Sequence, residues 1–128
     1  MKTKTLLMVC IAIATAAQAI DWKTIKANEK SMTEAQFKQF CAQQVNGQSV
    51  WWTGWVKDVE PSRGAYRIKV DMDPPDTLFS VPEIYLEGVS EYNALRLNKG
   101  QKVSFSGTIS RADRAIYLSI EINNPTIQ

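Results

Sequence analysis

The chain has 128 residues, of which 15 are Lys or Arg, 13 are Asp or Glu and none is histidine. Without histidine it lacks the usual general base, the commonest metal ligand and the ready pH switch. Residues 1–19 hold Lys2 and Lys4 and no acid, so their loss takes the basic count from 15 to 13, equal to the 13 acids, a balance that argues against gripping phosphate backbones by global positive charge.

Lys2 and Lys4 precede an apolar run from Leu6 to Ala14 that is too short to span a bilayer, and Ala17-Gln18-Ala19 has the small-x-small form of a signal peptidase site. The expectation is a signal peptide over residues 1–19, cleavage that leaves Ile20 as N-terminus, and a periplasmic or secreted product. A lipoprotein reading fails on Cys10, which follows Val9 inside the apolar run. No second apolar stretch is long enough to cross a membrane. Residues 20–128 suit a single domain in which Cys41 is the one remaining cysteine, so no internal disulfide can form.

Ile20 to Lys30 shows no clear period and reads as a loose lead-in with Trp22 and Ile25 as anchors. Ser31 with Glu34 fits a capping box. A helix is expected from about Thr33 to Gln44, its apolar stripe carried by Phe37, Phe40, Cys41 and Val45 and its end marked by Asn46-Gly47.

From Gln48 the period changes to two. Val103, Phe105, Gly107 and Ile109 alternate with polar residues, as do Ile116, Leu118, Ile120 and Ile122, and Tyr66, Ile68, Val70 and Met72. Less regular strands are expected over Val50 to Val59 and Leu78 to Leu86, where Pro82 forbids one ladder bond. Turns are expected at Pro61-Ser62-Arg63-Gly64, Asp73-Pro74-Pro75-Asp76, Asn98-Lys99-Gly100 and Arg111-Ala112-Asp113-Arg114. Five strands, with a short helical stretch from Tyr92 to Leu97 between the third and fourth, predict a mainly β protein: a small closed barrel of the OB type over 48–123, with the helix in 20–47. Trp52-Thr53-Gly54-Trp55-Val56 and Phe105-Ser106-Gly107-Thr108-Ile109 share one pattern in strands one and four, which are neighbours in such a barrel, and a glycine in each permits sharp coiling. The rival is an open antiparallel sheet packed on one helix.

The chain resembles the exported bacterial OB-fold proteins of the tRNA-anticodon-binding-like group. The likeness rests on a helix running into Gly47, on Val50-Trp51-Trp52-Thr53-Gly54-Trp55-Val56 with Asp58-Val59, and on Leu95, Leu97, Lys99-Gly100-Gln101, Val103 and Phe105-Ser106-Gly107, spanning Thr33 to about Asn123. What it implies is the barrel architecture. Nucleic-acid binding follows from the group's name by fold analogy only, and no catalytic residue is carried over.

Two surfaces are candidates for binding. Alternation turns Trp52 inward and leaves Trp51 and Trp55 on the other face, either buried under the helix from Thr33 to Gln44 or exposed as a stacking platform for bases or sugar rings. The outer face of strands two and three, with the loops joining strands one to two and four to five, offers Arg63, Arg67, Lys69, Tyr85, Arg111 and Arg114. Asp58, Glu60, Asp71, Asp73 and Asp113 interleave with these, so the face is either a solvated mixed-charge surface or a site for a protein or oligomeric ligand. Asp71, Asp73 and Asp76 have a superficial calcium-loop spacing, but prolines interrupt it and it reads as an acidic turn. Cys41 reads as a buried thiol rather than an intermolecular disulfide. There is no Gly-x-Ser-x-Gly elbow, zinc ligand set or phosphate loop, and no cofactor is expected. The expected function is therefore a non-enzymatic, exported module that binds another protein through the strand two to three face. An oligosaccharide or single-stranded nucleic acid, on that face or on exposed tryptophans, is the alternative, and an accessory enzyme the remote one.

Overall fold

The computed structural model describes residues 20–74 and 81–128. The expected signal peptide with Cys10, the start of the third strand near Leu78, and Asp76 lie outside the described residues.

The segment read as a loose lead-in is a helix, α1, over Trp22–Ser31. Asp21 caps it, its carboxylate accepting from the Thr24 amide at 2.8 Å. The inward face holds Trp22, Ile25, Lys26 and Glu29, of which Ile25 alone is fully buried. Half of that stripe is charged: Lys26 Nζ reaches Glu29 at 2.9 Å and Glu83, ahead of the third strand, at 3.1 Å. A search for apolar residues at helical spacing therefore finds too few of them. Met32 breaks the helix in an extended conformation. The capping box falls two residues later than expected, on Thr33 and Gln36 rather than Ser31 and Glu34, with Thr33 Oγ1 accepting from the Gln36 amide at 3.2 Å and Gln36 Oε1 from the Thr33 amide at 3.0 Å. Helix α2 follows over Glu34–Phe40 and widens into a π-helical turn over Cys41–Val45. Phe37, Phe40, Cys41 and Val45 are all buried, as the stripe predicts. Gly47, at φ 87, ends the turn where a side chain would strain the backbone.

Five strands follow: β1 Ser49–Ser62, β2 Ala65–Asp71, β3 Ile84–Val89, β4 Lys102–Arg114 and β5 Leu118–Ile127. A short helix, α3, spans Glu91–Leu95 between β3 and β4. The strands form a closed barrel in the order β1-β2-β3-β5-β4, with β4 returning to β1. All pairs are antiparallel except β3 with β5, which run parallel. This is the expected OB-type barrel, and closure sets aside the open sheet. The first half of β1 pairs with β4, from Ser49 opposite Thr108 to Trp55 opposite Lys102, and the second half pairs with β2, from Trp55 opposite Asp71 to Ser62 opposite Ala65. One long strand thus changes neighbours at Trp55.

Gly54 stands at that change. A Cβ there would lie 2.6 Å from Val70 Cγ1 and 2.7 Å from the Asp71 carbonyl oxygen, and one at Gly107 would lie 2.7 Å from Ile122 Cγ2. The repeated glycine lets the strands come this close across the barrel. Inside lie Val50, Trp52, Val56, Ile68, Val70, Ile84, Leu86, Val103, Phe105, Ile109, Ile120 and Ile122, with Ile25 and Phe37 joining from the helices.

Two strand ends differ from expectation. Arg111-Ala112-Asp113-Arg114 is strand rather than turn: Ala112 is buried and faces Ile120, and Arg114 pairs with Leu118. The turn starts four residues later, at 115–117, so Ile116, read as an inward residue of the last strand, sits on the hairpin tip at 82% exposure. Pro82 precedes β3 instead of interrupting it. Among the described residues no helix is long and apolar enough to cross a membrane.

Candidate functional site

The outer face of β2 and β3 is built by alternation, with Arg67 and Lys69 on β2 and Tyr85 and Glu87 on β3 pointing away from the core residues Ile68, Val70, Ile84 and Leu86. The β1–β2 hairpin turns through Arg63 and Gly64 at φ 51 and 78, a pair of left-handed residues whose twist matches that of the strands. Arg63 therefore stands exposed at the hairpin tip.

The cations of this face are engaged with carboxylates. Arg67 donates through Nε to Glu87 and through Nη1 to Glu60 at 3.1 Å, and its guanidinium lies 5.9 Å from the centre of the Tyr85 ring. The hydrogen bond to Glu87, ahead of the attraction of Glu60, holds the Arg67 guanidinium above its ordinary range. Lys69 Nζ is 3.3 Å from the second Glu60 oxygen. Arg111 on β4 lies 3.7 Å from Asp113 and 3.6 Å from Glu121. A shallow dimple of about 160 Å³ joins Arg67, Tyr85, Glu87, Arg111, Ser119 and Glu121 across four strands. Arg67, Lys69, Tyr85 and Arg111 are thus brought together. Arg114 is held elsewhere: Nη1 donates to the Glu29 carbonyl at 2.7 Å and the guanidinium lies 5.1 Å from the Phe37 ring, tying β4 to α1 and α2.

Arg67 and Glu87 are a partly buried pair, and Glu87 is 9% exposed with, among the described residues, the Ser62 hydroxyl at 3.4 Å as its other side-chain hydrogen-bond partner. Arg67→Ala is expected to cost about 1–2 kcal/mol, mostly by stranding that carboxylate. Adding Glu87→Gln should return part of the loss. Urea denaturation of the four members of the cycle checks this, and strictly additive losses would show that the pair contributes nothing.

Sequence reasoning missed the apolar tip beside this face. Ile116 is 82% and Tyr117 60% exposed, and with Val81, Pro82 and Tyr85 they border a hollow of about 280 Å³. The signal was present in Ile116-Tyr117, because a pleated strand can bury only one of two neighbours.

Trp51 and Trp55 lie in a separate groove. Of the two arrangements left open, cover by the helix from Thr33 to Gln44 is not the one found, since the helix end is pinned to the far part of β4, where the Gly47 amide bonds the Ile109 carbonyl at 2.8 Å and Asn46 Oδ1 accepts from the Ala112 amide at 2.9 Å. Trp51 is 68% exposed, and Trp55 is half-buried with the Lys102 ammonium 5.9 Å from its ring centre. Behind them Trp52 is buried against Trp22 of α1, ring centres 5.6 Å apart at 70°. The open groove, about 980 Å³, is also lined by Asp21, Lys23, Thr53, Met72, Lys102, Ser104 and Gln128.

Among the described residues no group of three or more Cys, Asp or Glu side chains could hold a metal ion. Asp71 is buried with one oxygen 3.9 Å from Lys57 Nζ, and Asp73 is exposed. The Cys41 thiol is 2% exposed, and burial pushes it up to about 11, so it stays protonated near neutrality and is a poor nucleophile. Compared with protein-family models, with curated proteins and with solved structures, the chain matches none of them.

Proposed function

We propose that this protein is an exported, non-enzymatic binding module of the OB-fold group it resembles, and that it recognises another protein through the outer face of β2 and β3 together with the tip of the β4–β5 hairpin. One observation carries this reading: a surface of paired charges is bordered by exposed Ile116 and Tyr117. Large apolar side chains exposed at a hairpin end are costly in water and are typical anchors of protein interfaces. The paired charges suit a partner with mixed charges of its own, which can exchange ion pairs at the rim. Phosphates would have to compete with Glu60 and Glu87 for Arg67 and Lys69, and residues 20–128 hold no excess of positive charge to help them. The basic, then apolar, then small-residue order of residues 1–19 supports export.

The test compares capture of envelope proteins by the parent protein, by Ile116→Ser with Tyr117→Ser, and by Arg67→Glu with Lys69→Glu. Both variants are expected to lose the same captured protein, and the hairpin-tip variant should melt with the parent because both its side chains are largely solvent-exposed. Undiminished capture by the tip variant would refute the assignment. Binding of an oligonucleotide that weakens steeply with added salt would transfer the face to nucleic acid.

A further inference from the structure

The groove on the β1–β4 side of the barrel is a second and separate surface, and it gathers all four tryptophans of the chain, Trp22, Trp51, Trp52 and Trp55. Packing explains only part of this. Trp52 fills the barrel and Trp22 closes over it edge to face. Trp51 is mostly in water and contributes little to the fold, while Trp55 shows one part of its ring to the groove. Four residue steps along β1 separate the two outward indoles, about 13 Å at ~3.3 Å per residue. Between them Thr53 Oγ1 lies 2.8 Å from Ser104 Oγ on β4. The register of Trp51, Thr53 and Trp55 against Ser106, Ser104 and Lys102 fixes the backbone beneath, so the spacing between the two indole-bearing positions is set before any ligand arrives.

We propose that this groove is a binding site for a neutral oligosaccharide. Sugar rings have apolar faces, which stack on indoles, and edges of hydroxyls that both donate and accept. The groove supplies both kinds of surface: Trp51 and Trp55 for the faces, the Thr53 and Ser104 hydroxyls between them, the Lys102 ammonium beside the Trp55 ring, and the Asp21 carboxylate, the Lys23 ammonium and Gln128 around them. The mixture of signs is what separates a sugar from its rivals. A single-stranded nucleic acid stacks equally well but draws its affinity from a row of cations along the backbone, whereas here two lysines stand with a carboxylate and residues 20–128 carry no net positive charge. A proline-rich peptide also docks on aromatic grooves, but proline has no backbone N–H to offer an acceptor such as Asp21.

The probes are cellohexaose, chitohexaose and maltohexaose, titrated into the purified protein with tryptophan emission and calorimetry as readouts. At least one should give a saturable emission change, and Trp51→Ala should weaken that binding about tenfold or more, as expected for one lost stacking contact. Trp51→Ala should melt with the parent. Tyr92→Ala, which removes an aromatic 78% exposed outside the groove, should leave the titration unchanged. The proposal is overturned if none of the three sugars binds, if Trp51→Ala binds as the parent does, if Tyr92→Ala weakens binding as much as Trp51→Ala, or if oligothymidylate or decaproline gives the saturable response in their place.

Discussion

Phe105→Ala is expected to lower stability by about 3–5 kcal/mol, the range for removing a fully buried aromatic ring. Phe105 is 0% exposed and lies opposite Trp52 in β1 on one side and Ile127 in β5 on the other, so its ring belongs to two strand pairs at once. The cavity cannot close by a local shift, because the strands around it are fixed on both edges by a closed ladder. Set against a total of about 5–15 kcal/mol for a domain, this loss takes a large share of the folded population. At about 4–8 °C per kcal/mol for a domain of this size, the melting temperature should fall by well over ten degrees. Urea and thermal denaturation check it, and a change below about 1 kcal/mol would mean that the ring is not at the centre of the core.

The second large effect is expected at Gly54. Gly54→Val should cost about 3 kcal/mol, at the upper end for a side chain forced into a packed interior. Its Cβ would meet the Asp71 carbonyl oxygen at 2.7 Å, and that atom belongs to the backbone of β2 and cannot swing aside. The two γ-carbons of valine would add to the clash with Val70. Relief requires β1 and β2 to move apart where β1 exchanges β4 for β2, so near-ultraviolet circular dichroism should report loosened tryptophan packing together with the earlier melt. A Gly54→Val protein that melts with the parent would show that the strands do not approach as described.

What the sequence revealed and what it hid divide along physical lines. Strands β4 and β5 were legible because each has one face in the core, and period-two burial writes itself directly into residue types. The shared aromatic, hydroxyl and glycine pattern of Trp52 to Val56 and Phe105 to Ile109 pointed to the β1–β4 pairing, which sets Trp52 opposite Phe105. Helix α1 was hidden because Lys26 and Glu29 occupy its inward side and are satisfied by ion pairs. The hairpin tip was hidden for another reason: alternation marks a strand's faces but not its end, so the period ran on through Ile116 into the turn. Arg67 and Lys69 were correctly placed on the outer face, yet their partners were not predictable. Glu87 reaches Arg67 because the β2–β3 register that sets Ile68 opposite Leu86 also brings it alongside, and the pattern of residue types along one strand does not state which residue of another strand will face it. The exposure of Trp51 depended on where α2 settles, which is decided by hydrogen bonds of Asn46 and Gly47 to a strand more than sixty residues away in sequence.

The way β1 is shared between two neighbours also orders the events of assembly. A chain emerging N-terminus first can form the β1–β2 hairpin at once, but the other edge of β1 stays bare until Lys102–Arg114 has appeared, and the parallel partner of β3 arrives later still. Contacts of such long sequence separation form slowly, on the order of milliseconds to seconds. Through that interval Val50 and Trp52 have no roof and their strand offers unmatched amides to any passing chain, so nascent copies are most vulnerable to sticking together before the fourth strand has arrived.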